Sequence, residues 1–304
     1  MKLIKVGAGV LNQTPLDWDG NRDRIVTAIN RARDSEVSIL CLPELCITGY
    51  GCEDAFHAPG VQRTARELLQ EIVPVTKGMI VSVGIPLLYS GGLFNAACLI
   101  ADAKIVGFVA KQNLAGEGIH YEPRWFKPWP ADVQVELAWN GTTYPLGDII
   151  FECGDVLIGF EICEDAWVAD RPGGDLATRG VDIILNPSAS HFAFGKHSVR
   201  RRFVLEGSRA FNVSYIYANL LGNEAGRAIY DGDAMIASGG QMLATGPRFS
   251  FADHHLTTAI VDVDQSRMQR ARTGSYHPDV QQRAQHSVPF AFSFPPVKLK
   301  KANI

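Results

Sequence analysis

At 304 residues the chain is long enough for one large α/β domain or two small ones. Hydrophobic residues make up 46% and charged residues 20%, ordinary proportions for a globular protein with a full core. A formal net charge of -3 offers nothing to nucleic acid or an anionic membrane, and no apolar run nears the roughly 20 residues that cross a bilayer.

The chain starts MKLIKVGAGVLNQTPLDWDG, a short apolar run followed at once by polar residues, without a signal-peptide cleavage pattern. Residues 3–10 predict a strand, and residues 22–33 an amphipathic helix with Ile25, Val26 and Ile29 inward. A second strand at 37–42 runs into PELCITGYG, followed by a helix at 64–73 and a third strand at 79–85. Residues 93–101 and 104–110 read as a strand pair turning at Asp102-Ala103, and a Pro- and Trp-rich loop covers 116–130. Strands resume at 143–144, 147–152 and 155–162, then at 181–185 and 213–218. Between the last two, residues 196–211 predict a long helix carrying basic residues on its exposed side. The last third (228–237, 241–244, 256–263) reads as paired strands joined by Gly-containing turns.

Strand–helix alternation together with antiparallel pairs predicts an α/β fold, with two mixed sheets packed face to face and helices outside. Residues 1–286 form that layered domain; residues 287–304, punctuated by proline and ending VKLKKANI, read as a loosely held tail or linker. The six cysteines (Cys41, Cys46, Cys52, Cys98, Cys153, Cys163) form no C-x-x-C pair and lie mostly in apolar, strand-like contexts. Reduced thiols in a cytoplasm fit that pattern better than a disulfide framework. Cys46, Cys52 and His57 match no familiar zinc spacing.

The chemistry centres on GFEICEDAW, residues 159–167. An apolar strand ends at Cys163 and turns acidic at once with Glu164 and Asp165. A thiol at a sheet's rim, with backbone N–H groups just after it, is placed to be a nucleophile beside an oxyanion site. A buried cysteine that only fills space gives the same local pattern, and this stretch alone leaves both readings open. A catalytic thiol needs a base or a positive charge nearby. None of the eight histidines has an obvious strand-end placement with an acidic orienter. Two other strand ends do carry charge: residues 37–42 end in Pro43-Glu44, and residues 105–110 in Lys111.

Residues just beyond the carboxyl ends of neighbouring strands converge on one crevice. Glu44 can take the thiol proton and pass it to a leaving amine, Lys111 can favour the thiolate and stabilise the oxyanion, and Cys163 can form a thioester that water hydrolyses. Taken singly, Glu44 could be a helix N-terminal acid, Lys111 a surface cation and Cys163 core filler. Three such residues, each at a strand end, are harder to explain that way.

LPELCITGYG, AKQNLAGEGIHYEPRWF and GFEICEDAW resemble the glutamate, lysine and cysteine motifs of the nitrilase (carbon–nitrogen hydrolase) superfamily. With NPSASHFAFGK, YANLLGNEAGRAIYDGDAMI and RARTGSY, nearly the whole chain resembles the N-terminal glutaminase domain of glutamine-dependent NAD⁺ synthetases. The resemblance implies a four-layer αββα sandwich, a cytoplasmic homo-oligomer, and neither metal nor cofactor. It implies hydrolysis of glutamine to glutamate, with the ammonia passed to an NAD⁺ synthetase domain or subunit. Glu44 then matches the general base, Lys111 the stabilising lysine and Cys163 the nucleophile. Tyr50 and Trp167 match aromatic wall positions, Glu164 a pocket carboxylate, and Ser190 and Lys196 positions that hold the amino-acid end of glutamine. Glu117 occupies a position that is tyrosine in one branch of these enzymes, and an acid there could meet the α-amino group.

The complete synthetases also carry an SGGxDS pyrophosphate loop. Here Ser90-Gly91-Gly92 and Ser238-Gly239-Gly240 lack the Asp-Ser and read as hairpin turns within the sandwich. The expectation is therefore a glutaminase subunit, an excised domain, or a stand-alone amidase or nitrilase acting on another small amide. A regulatory partner without catalysis is the reading from a different class, and the complete set of three residues argues against it.

Overall fold

The computed structural model describes residues 1–224 and 227–297. In chain order its strands are β1 (Leu3–Leu11), β2 (Ile39–Cys41), β3 (Ile80–Tyr89), β4 (Gly92–Ala101), β5 (Lys104–Ala110), β6 (Gln134–Trp139), β7 (Thr142–Gly147), β8 (Ile150–Cys153), β9 (Val156–Phe160), β10 (Ile183–Pro187), β11 (Ser214–Ala218), β12 (Leu221–Glu224), β13 (Ala228–Asp231), β14 (Met235–Ser238), β15 (Gln241–Thr245), β16 (His254–Asp262) and β17 (Ser287–Phe290). The α-helices are α1 (Trp18–Asp34), α2 (Pro59–Ile72), α3 (Glu122–Trp125), α4 (Gly173–Thr178), α5 (Lys196–Ala210), α6 (Val263–Arg272) and α7 (Val280–His286).

One sheet runs β16-β1-β2-β3-β4-β5-β7-β6 and the other β15-β14-β11-β10-β9-β8-β17; β12 and β13 form a separate ribbon. Both sheets are mixed. In the first, β2 lies parallel to β1 and β3, while β16 and β4 run antiparallel. In the second, β9, β10 and β11 are parallel and β14 antiparallel.

Side-chain alternation along the strands builds the layers. Ile4, Val6, Ala8 and Val10 of β1 face the second sheet and pack in one core with Ile158 and Phe160 of β9 and Ile216 of β11. The first sheet's other face presents Leu40, Val81, Val83 and Ile85 to Ile25, Ile29, Leu68 and Leu69 of α1 and α2. The second sheet's outer face presents Ile184, Tyr215 and Tyr217 to Val204 of α5. The order helix, sheet, sheet, helix is the expected αββα sandwich.

Helix α1 starts at Trp18, earlier than its apolar spacing suggests, because the Asp17 side chain accepts from the Gly20 N–H and caps it. Val26 is only half-buried; Ala28 and Ala32 are the further inward positions. Helix α2 likewise starts early, with Pro59 in its first turn. Helix α5 departs from the expected outward basic face at Arg200, whose guanidinium is fully buried against Asp231 and Asp233 at 2.5 and 3.1 Å. Two parts of the chain are more ordered than their sequence suggests. The 116–130 loop contains α3. Residues 287–290 are not a loose tail: as β17 they pair in parallel with β8, and Phe292 and Phe294 pack on the inter-sheet core. Residues 298–304 lie outside the described part. Ser90-Gly91-Gly92 and Ser238-Gly239-Gly240 join β3 to β4 and β14 to β15 as hairpin turns.

Candidate active site

Three strand ends deliver Glu44, Lys111 and Cys163 to one place, the first two from one sheet and the third from the other. All three side chains are buried. The Lys111 Nζ donates to Glu44 Oε1 at 2.6 Å and to Glu122 Oε1 at 2.7 Å. Asn95 Nδ2 donates to the same Glu44 oxygen at 2.7 Å, while the other Glu44 oxygen accepts the Ala189 backbone N–H at 2.9 Å. That last bond crosses from the first sheet's loop to the loop after β10, so the carboxylate itself ties the two halves together.

Cys163 has φ of +48°, a left-handed backbone that a side-chain-bearing residue adopts only under local constraint. Asp165 supplies the constraint. Its Oδ2 accepts the Ile162 N–H at 2.9 Å, and its Oδ1 accepts the Asn113 N–H at 2.7 Å, the Gln112 N–H at 3.2 Å and Asn113 Nδ2 at 3.1 Å. One buried carboxyl thus clamps the turn carrying Cys163 to the turn carrying Lys111. Gly84 of β3 does comparable work for Glu44. A Cβ there would lie 2.2 Å from the Leu45 nitrogen and 2.7 Å from the Pro43 oxygen, so the Glu44 loop can pass only over glycine.

The electrostatics follow from burying several charges together. Burial works against the Lys111 ammonium, but Glu122 and Glu44 outweigh it and hold it protonated well above the usual lysine range. Burial pushes the Glu122 carboxyl up, with Lys111 pulling the other way. Burial also pushes the Cys163 thiol up, and Glu44 adds to this while Lys111 opposes it. The resting sulfur is therefore a thiol, and a reaction through it needs its proton removed by a neighbouring base.

Cys163 forms part of the wall of a cavity of about 300 Å³, shared with Ala115, Glu117, His120, Glu164, Trp167, Ser190, His191 and Lys196. That volume is at the lower end for ligand pockets, which suits a small substrate. Of the residues singled out in the sequence, Glu117, Glu164, Trp167, Ser190 and Lys196 line this cavity. The Lys196 ammonium lies 5.3 Å over the Trp167 ring, and Ser190 Oγ is buried with no protein partner. Tyr50 stands one layer back: its hydroxyl donates to Glu122 Oε1 at 2.7 Å and meets His120 Nδ1 at 3.0 Å.

Glu122, His120, His191 and Asn95 escaped the sequence reading. Glu122 sits in the predicted loop, and only when α3 folds back, with the Ala115 N–H donating to Glu122 Oε2 at 3.1 Å, does it reach Lys111. The one available signal was a glutamate just ahead of an aromatic pair, Trp125-Phe126, that must be buried.

A double-sheet sandwich with a lysine between two carboxylates beneath a cysteine-lined cavity defines an amide-hydrolase type of site. Residues 5–273 match the carbon–nitrogen hydrolase family, and the chain belongs to that family. It is similar to the glutamine-dependent NAD(+) synthetase of Oryza sativa subsp. indica, 33% identical over 312 residues that cover 99% of this chain and 42% of that protein. It is also similar in structure to a glutamine-dependent NAD(+) synthetase from Cytophaga hutchinsonii (45% identity, TM-score 0.81, 86% of this chain and 43% of that one). An amidase from Nesterenkonia sp. shares the fold at 21% identity and a TM-score of 0.69, over 88% of this chain and 94% of that one. The chain thus spans less than half the length of the synthetases it matches. Among the described residues, no helix is long and apolar enough to cross a membrane.

Proposed function

We propose that this chain hydrolyses the side-chain amide of glutamine, releasing glutamate and ammonia, and that the ammonia serves NAD⁺ formation at a synthetase domain or subunit. The observation that carries the reading is the buried Lys111, held between Glu44 and Glu122 beneath a small cavity walled by Cys163. Glu44 removes the thiol proton as the sulfur attacks the amide carbon. Lys111 and the backbone N–H of Glu164, directly after Cys163, receive the negative charge on the carbonyl oxygen. Collapse of the tetrahedral intermediate breaks the C–N bond, Glu44 gives its proton to the leaving nitrogen, and a thioester remains. Water, deprotonated by Glu44, then attacks the thioester; the proton returns to sulfur as glutamate leaves.

At the far end of the cavity Lys196 and Ser190 receive the α-carboxylate, and Glu117 and Glu164 the α-amino group, with Trp167 as a wall. The reading extends to a cytoplasmic homo-oligomer, which sedimentation tests directly. Cys163→Ala abolishes turnover, and an undiminished rate would refute the mechanism. Glu44→Gln and Lys111→Ala each lower kcat by ~10²-fold or more. Glutamine is turned over well ahead of propionamide or a nitrile; a protein that prefers the simple amide is a stand-alone amidase.

A further inference from the structure

A row of polar contacts at hydrogen-bond distance runs from the buried cluster to the cavity wall: Lys111 to Glu122, Glu122 to Tyr50, Tyr50 to His120, His120 to His191, His191 to Lys196. Counting protons along it leads to a mismatch at the far end. Tyr50 has one hydroxyl hydrogen and gives it to Glu122 Oε1 at 2.7 Å, so its oxygen can only accept from His120 Nδ1, 3.0 Å away. His120 is neutral: burial, His191 and Lys196 push its pKa down to about 3. A neutral ring with its proton on Nδ1 has a bare lone pair on Nε2. That nitrogen lies 2.8 Å from His191 Nδ1, which must therefore be the donor. Yet His191 Nδ1 is also the atom that faces Lys196 Nζ, at 3.1 Å. An N–H cannot accept from an ammonium. Lys196 is thus left without an acceptor there, partly buried, with burial pulling its pKa down.

We propose that His120 and His191 are positioning residues for substrate selection: fixed by Tyr50 as Nδ1-protonated neutral rings, they deny Lys196 a hydrogen-bond acceptor on their side of the cavity, so that a substrate carboxylate completes its contacts. This rests on the glutamine reading and adds the device behind it. A pocket that gave Lys196 a permanent partner would gain little from an anion. This one leaves a partly buried ammonium to be satisfied by the ligand, which is how a site comes to reject an analogue lacking the matching group.

Two substitutions separate the proposal from a merely structural role. His191→Gln supplies a carbonyl oxygen that Lys196 can donate to, whereas His191→Phe keeps the ring's bulk and supplies none. The readout is the ratio of kcat/KM for glutamine to that for valeramide, a neutral amide of the same chain length. His191→Gln lowers this ratio at least about tenfold, while His191→Phe leaves it within about threefold of the native value. If the Gln variant keeps the native ratio, or the Phe variant loses it, the proposal is overturned. Nitrogen-15 spectra of histidine-labelled native protein test the same point without substitution. His120 and His191 both carry the proton on Nδ1; a proton on His191 Nε2 instead would overturn the assignment. A native protein that prefers valeramide sinks the glutamine reading itself. A native preference for glutamine that survives in His191→Gln sinks this inference alone.

Discussion

Acid finds the His120 ring in a poor place to be charged, because burial and two neighbouring nitrogens, on His191 and Lys196, oppose a proton. Unfolding exposes the ring and restores an ordinary pKa near 6.5. Between about 6.5 and about 3 the unfolded chain binds the proton that the folded chain refuses, so stability falls as pH drops through that window, by up to ~1.4 kcal/mol per pH unit. Buried Glu122 and Asp165, whose carboxyls are pushed up to about 7, work the other way as pH drops from 7 to 4, so the His120 share is read by difference: denaturant midpoints of His120→Gln fall less steeply, or rise more, than those of the native protein over that range. Asp165 has the opposite chemistry, a carboxyl that accepts four N–H groups and donates to none. Asp165→Asn turns an amide NH₂ toward one set of those donors and costs about 1–3 kcal/mol in urea unfolding, with a fall in kcat because the Cys163 and Lys111 turns lose their shared anchor. Glu44, Lys111 and Cys163 were legible in the sequence because each interrupts an apolar strand at its end. Glu122 and the two histidines were not, since their positions depend on a loop folding back and leave no periodic trace.

Among the elements, β3 matters to the site through what it lacks. Gly84→Ala places a methyl group against the backbone of residues 43–45, and backbone cannot rotate away as a side chain can. The Glu44 loop must lift, its hydrogen bonds to Lys111 and Ala189 stretch, and kcat falls at least ~10²-fold while the protein stays folded by circular dichroism. Strand positions were largely readable from apolar runs. The exceptions are β6, β12 and β17, short strands without a long apolar run; β6 is a sheet edge with half of its residues exposed. Helix α5 was readable as a helix but not in its charges. Whether an arginine points to water or to a buried aspartate depends on β13 and the turn after it, which supply Asp231 and Asp233 from 31 and 33 positions further along.

At the scale of the molecule, the two sheets are held by a core that includes the last described strand. Val288, Phe290, Phe292 and Phe294 all pack on the inter-sheet cluster. Removing everything after His286 uncovers that edge of the core, costs on the order of 4 kcal/mol and lowers the unfolding midpoint by on the order of 10 °C by calorimetry. The layered architecture followed from the sequence because alternation and βαβ order constrain it strongly. The end of the chain did not, because a short parallel strand with a proline inside it looks like a linker until its partner β8 is known.

Since acid and ammonium hang from one sheet and sulfur from its neighbour, the sulfur's reactivity also reports whether the two layers keep their alignment. Iodoacetamide, an amide smaller than glutamine, reaches Cys163 through the cavity and alkylates it while Glu44 and Lys111 stand in place to take its proton and favour the thiolate. Warming that loosens the contact between the layers slows labelling at Cys163 and silences the enzyme while every strand is still paired.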